Sequence, residues 1–86
     1  MNTLVDTPKS AGYRAGRIYV VMESGLDFSF PIRGNPRLQG KSEDSLSKIE
    51  LSPFGLHWPD LDEDLSIRGI LSGDYGQRNG KEPRAE

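Results

Sequence analysis

Five polar side chains of one chain gather in a single stretch: His57, Asp60, Asp62, Glu63 and Asp64. Three roles suit such a set. Carboxylates spaced like Asp62 and Asp64 resemble part of a calcium loop. That loop needs about a dozen residues, a glycine turn and a distal bidentate acid, and the stretch has neither the glycine nor the distal acid. His57 with Asp60 could act as a general-base pair. No nucleophile with a partner and no oxyanion pocket is evident beside it. The third role is structural. Carboxylates ahead of a helix accept its free N–H groups and complement its dipole. Asp62 or Asp64 as cap, followed by Leu65 and Ile67, fits that role. Trp58 can bury a large apolar face while its N–H meets a carbonyl or carboxylate. Pro59 fixes the turn. The favoured reading is a clasp of His57, Trp58, Pro59, Asp60, Asp62 and Asp64 that joins the last strand to the last helix. No catalytic, cofactor-binding or metal residue is expected.

A basic set forms a second candidate surface: Arg14, Arg17, Arg33, Arg37 and Lys41, all in the first half, while acids dominate the middle. Such a layout suits either nucleic acid or a charge-complementary protein. The net charge of -2 and a pI near 5.3 argue against nonspecific nucleic-acid binding, which needs a positive field. Helix-turn-helix spacing is missing, as are aromatics suited to base stacking. The glycines from Gly73 to Gly80 lack the Lys-Ser/Thr of a phosphate loop.

The elements that must position these residues follow from periodicity. Arg17 to Met22 is rich in β-branched and aromatic residues, with Ile18, Val20 and Met22 on one face. Leu26 to Ile32 alternates, with Leu26, Phe28, Phe30 and Ile32 opposite Asp27, Ser29 and Pro31. Gly25 turns between the two runs, so they form a hairpin whose second strand lies at an edge or bulge because of Pro31. Leu38 is expected to plug the core. Ser42 caps a short helix bearing Leu46 and Ile49. Residues 49–51 and 56–58 read as brief paired strands around a Pro53-Phe54-Gly55 turn. Leu65, Ile67, Ile70 and Leu71 then read as a second short helix that Gly73 stops. The expected fold is α+β. A small antiparallel sheet, made of the hairpin plus two short strands, carries two short helices on one face.

The chain has 86 residues, 34% of them hydrophobic and 28% charged. That length suits one domain. The expected division is a flexible segment over 1–12, the domain over 13–73 and a disordered tail over 74–86. A core of roughly 55–60 residues is marginal without staples. With no cysteine and one histidine, disulfides and thiolate or multi-histidine zinc sites are excluded. A partner, or self-association, becomes the expected source of further stability. No apolar run approaches the ~20 residues of a membrane span, and no signal peptide is visible. The lack of cysteine fits a cytoplasmic protein.

The run from Gly55 to Gly73, with Leu56-His57-Trp58-Pro59-Asp60-Leu61-Asp62-Glu63-Asp64-Leu65-Ser66 at its heart, closely resembles the closing motif of the bacterial domain of unknown function 2442. Ile18 to Met22, Gly25, Leu26 to Pro31 and Pro36-Arg37-Leu38 are similar to that family's earlier segments. Members often carry an aromatic residue just before Pro-Arg-Leu, where this chain has Gly34-Asn35. The resemblance covers about Arg14 to Gly73. It implies a small α+β fold and no established catalytic activity. It also implies a setting beside a second small domain of unknown function, number 4160, in a pairing similar to toxin–antitoxin systems. Some members add a helix-turn-helix domain, and none is expected in this chain. The expected function is a protein–protein binding module, antitoxin-like or accessory, in a small two-gene bacterial system. A nucleic-acid-associated regulator using the basic half, and an enzyme or metal site at His57 and Asp60, are the alternatives.

Overall fold

A computed structural model describes residues 6–77. Strand β1 (Pro8–Arg14), β2 (Arg17–Met22) and β3 (Asp27–Pro31) form one antiparallel sheet in the order β1-β2-β3. Helix α1 (Glu43–Ser47) follows. Strands β4 (Glu50–Ser52), β5 (Gly55–Trp58) and β6 (Glu63–Ser66) form a second antiparallel sheet, and α2 (Ile67–Leu71) ends the order. The fold is thus α+β and antiparallel, with six strands in two sheets rather than four in one.

The hairpin of β2 and β3 pairs Ile18 with Phe30 and Val20 with Phe28. Ile18, Val20, Met22 and Phe30 are buried, as period-two alternation demands. Pro31 lies on an edge strand, where its missing N–H leaves no ladder bond unmade. Arg17 blunts that same edge. Its guanidinium donates to Ser29 Oγ at 3.0 Å and to the Ser29 carbonyl at 3.2 Å.

Residues 8–12, expected within a flexible segment, belong to β1 instead. The turn into β2 is Ala15-Gly16, with φ of 51° and 84°. Both signs are those of a two-residue hairpin turn whose twist matches the strands. Tyr13 Oη accepts the Gly16 N–H at 3.1 Å. Ala11 and Tyr13 pack against the core. Their apolar signal in the sequence is too weak to mark a strand.

The core joins both sheets and both helices. Ile18, Val20, Met22 and Phe30 come from the first sheet, and Leu56, Trp58 and Leu65 from the second. Leu46 of α1, Ile67 and Ile70 of α2, and Ile32 and Leu38 between β3 and α1 complete it. Ser42 caps α1, its Oγ accepting the Ser45 N–H at 3.1 Å. Gly73, at φ 94°, ends α2. The Asp74 N–H donates to the Gly69 carbonyl at 2.7 Å and the Gly73 N–H to that of Ile70 at 3.0 Å. These two bonds make a Schellman closure. Of the expected disordered tail, Asp74 to Gln77 fold back on the domain: the Tyr75 ring lies 5.6 Å from that of Phe30. The remainder of that segment, 78–86, lies outside the described residues, as do residues 1–5.

Candidate functional site

The acidic stretch is a hairpin turn, not a strand-to-helix cap. The Leu61 N–H donates to the Trp58 carbonyl at 3.1 Å, and Pro59 sits where its fixed φ suits such a turn. Asp62 then takes φ 51°, and the chain re-enters the sheet with Glu63 opposite Trp58. Glu63 to Ser66 alternates as a strand, burying Leu65. The N-cap of α2 is Ser66, whose Oγ accepts the Gly69 N–H at 2.9 Å. Asp62 and Asp64 therefore do not cap α2. The spacing of Leu65, Ile67 and Ile70 suits a helix, but the strand continues through Leu65. The clasp joins β5 to β6, not to the helix.

Each acid of the motif meets a different partner. Asp60 binds Lys48 at 3.1 Å. Asp62 faces Arg37, which donates to its carbonyl at 2.9 Å and lies 3.5 Å from its carboxylate. Asp64 meets His57 Nδ1 at 2.7 Å across the β5–β6 pair. Glu63 accepts from Asn35 Nδ2 at 3.0 Å. Four contacts thus tie this stretch to Lys48 just after α1, to the Asn35–Leu38 loop and to β5. These exposed ion pairs contribute little to stability. Lys48 also lies 3.4 Å from Asp44. Its bonds to Asp60 and then Asp44 raise its pKa above 10.5.

Trp58 is wholly buried, and its Nε1–H donates to the Leu46 carbonyl at 3.0 Å. That bond anchors β5 to α1. Asn35 is also wholly buried, the only such polar side chain among the described residues. Its Nδ2 also donates to the Tyr75 carbonyl at 2.9 Å, and its Oδ1 accepts the Arg37 N–H at 2.8 Å. Gly76 passes so close that a Cβ there would strike Asn35 Nδ2. Asn35 carries no signal in the sequence beyond its place before Pro-Arg-Leu.

The carboxylates point to separate partners, and among the described residues no group of three or more His, Cys, Asp or Glu could hold a metal ion. His57 has Asp64 as its partner rather than Asp60. Ser66 lies along β6 on the same face as Asp64, but its hydroxyl is engaged in capping α2. Among the described residues no helix is long and apolar enough to cross a membrane.

The basic set does not form one free patch. Arg14 stacks 4.9 Å over the Tyr19 ring, Arg17 holds Ser29 and Arg37 holds Asp62. Arg33 and Lys41 are exposed. The structure displays instead an apolar surface that charge and motif reading overlooked. Phe54, at the β4–β5 turn, is 76% exposed, and Leu71 of α2 is 57% exposed. Between them lies a groove of about 730 Å³ that includes Pro53, Ile67, Arg68 and Asp6 in its walls. The Ile67 N–H, bonded to the Phe54 carbonyl at 2.8 Å, holds turn and helix together. An aromatic at the tip of a Pro-Phe-Gly turn was the available signal, because such tips face solvent.

No curated protein matches the sequence. Two solved structures do. A crystal structure of a protein of unknown function from Rhodospirillum rubrum is 37% identical, with a TM-score of 0.74 over 84% of this chain and 92% of that one. A solution structure of an uncharacterized protein from Chromobacterium violaceum is 28% identical, with a TM-score of 0.72 over 83% of this chain and 69% of that one. The profile of the family described as "Protein of unknown function (DUF2442)" matches residues 8–76. With most of its length so matched, the chain belongs to the DUF2442 family of proteins of unknown function.

Proposed function

We propose that this chain is a non-catalytic protein–protein binding module of the bacterial cytoplasm, the antitoxin-like or accessory member of a small two-gene system. The observation that carries the reading is the groove between Phe54 and Leu71. An apolar surface with charged walls marks a docking site on a small domain. The acidic motif supports the reading, since its acids already have partners in the same chain, Lys48, Arg37, Asn35 and His57. The basic set lends little to a nucleic-acid role, because Arg14, Arg17 and Arg37 are held within the chain. The two-gene setting comes from the family resemblance.

Co-expression with the product of the adjacent small gene tests the proposal. A complex that co-elutes through size exclusion, and that Phe54→Asp or Leu71→Asp abolishes while the melting curve stays cooperative, is the expected result. Separate elution of the two proteins at micromolar concentration would overturn it.

A further inference from the structure

We infer that the Phe54–Leu71 groove takes a second copy of this chain, in a two-fold dimer that sets Asp6 of each copy against Arg68 of the other. The inference rests on the reading of this groove as a docking face, and it assigns the groove to a second copy in the free protein, before the neighbouring gene product is bound. A two-fold interface uses the same patch twice, so that patch must complement itself in shape and charge. This one carries apolar surface and both signs of charge. Phe54 and Leu71, both exposed, line the groove together with Ile67. The walls carry one anion, Asp6, and one cation, Arg68. A wall of a single sign would repel its own copy, whereas a balanced pair meets itself favourably.

The two charges differ in how they are held. Asp6 Oδ1 accepts the Ser24 N–H at 3.0 Å, and Asp6 Oδ2 the Ser24 hydroxyl at 2.6 Å. Each oxygen keeps a further lone pair for an arginine. The carboxylate is therefore fixed in place before any partner arrives, which lowers the ordering cost. Arg68 is exposed and makes no ion pair among the described residues. Its guanidinium can reach a carboxylate beyond its own chain. The remaining apolar walls would then leave water on both copies at once.

Sedimentation velocity across micromolar to millimolar concentration tests the inference. The mass of the wild-type protein should rise toward twice the 9.6 kDa of one chain. Arg68→Glu and Asp6→Lys should each move the dimerisation midpoint at least about tenfold higher, because each sets like charges together twice. An equimolar mixture of these two variants should recover the dimer, since both ion pairs re-form between unlike copies. Recovery on mixing also excludes misfolding as the cause of either loss. A wild-type mass that stays single at every concentration overturns the inference, as does a mixture no more associated than its components. If the mass stays single while Phe54→Asp still abolishes capture of the neighbouring gene product, the docking face stands and only the second copy is lost.

Discussion

Asn35 and Glu63 meet inside the fold through a 3.0 Å hydrogen bond between residues 28 positions apart in sequence. Asn35 spends its other groups on the Tyr75 carbonyl and the Arg37 N–H. One wholly buried amide thus ties the loop before Pro36 to β6 and to the segment after α2. Its three bonds account for both amide hydrogens and one acceptor position. A satisfied buried polar group costs little, whereas a half-satisfied one costs its full desolvation.

Asn35→Leu leaves Glu63 and the Tyr75 carbonyl without their donor. The expected loss is about 3 kcal/mol in urea unfolding. A double-mutant cycle with Glu63→Ala, which removes the acceptor, should show coupling of about 1–3 kcal/mol. Additive losses would mean that the two side chains do not depend on each other.

Ser66, not the acids before it, caps α2. Ser66→Ala should therefore cost about 1 kcal/mol. Asp62→Asn, which weakens an exposed contact with Arg37 while keeping a side chain suited to φ 51°, should cost about 0–1 kcal/mol. Thermal melts of the two variants rank the effects. A larger loss at Asp62 would return the cap to the acidic motif.

Trp58 fills the junction of β5 and α1. Trp58→Ala should cost about 3–5 kcal/mol through the cavity it leaves. Trp58→Phe keeps an aromatic ring but orphans the Leu46 carbonyl, at about 1–3 kcal/mol. Chemical unfolding of both variants separates packing from the hydrogen bond. Equal losses would mean that the bond contributes most of the stabilisation.

Ala15 stands at φ 51°, where a Cβ is unfavourable by about 1–2 kcal/mol. Ala15→Gly relieves that crowding, partly offset by the added freedom of the unfolded chain. A net gain of about 1 kcal/mol raises the melting temperature by about 4–8 °C for a domain of this size. A lower melting temperature would mean that chain entropy outweighs the strain.

Alternation at Ile18, Val20 and Met22 made the β2–β3 hairpin legible, and Ser42 with Leu46 made α1 legible. Strand β1 was hidden because Lys9, Ser10, Ala11 and Gly12 carry little apolar contrast and Ala-Gly is a weak turn signal. Strand β6 was hidden for a different reason. Leu65, Ile67 and Ile70 fit helical spacing, and only the pairing of β6 with β5 shows that the first belongs to a strand. Asn35 acquires its role from Glu63 and Tyr75, both distant in sequence, so no local pattern announces it. The exposure of Phe54 and Leu71 likewise depends on which faces the core claims first.

The contact of Lys48 with Asp60 and Asp44 makes a pH-dependent claim. Those bonds hold the ammonium form, so the folded pKa lies above 10.5. A raised folded value means that the folded state keeps its proton longer than the unfolded chain. The contribution is full below pH 10.5 and is lost as pH rises through the folded value. Because Lys48, Asp44 and Asp60 are all substantially exposed, salt should weaken the effect. Titration of the Lys48 side-chain NMR signals measures it directly. Asp60→Asn should bring the midpoint down toward 10.5, and Asp44→Asn should move it less, since the Asp60 contact is the shorter at 3.1 Å against 3.4 Å. Identical midpoints in the wild type and both variants would remove Lys48 from the clasp and leave Asp60 as an ordinary turn residue.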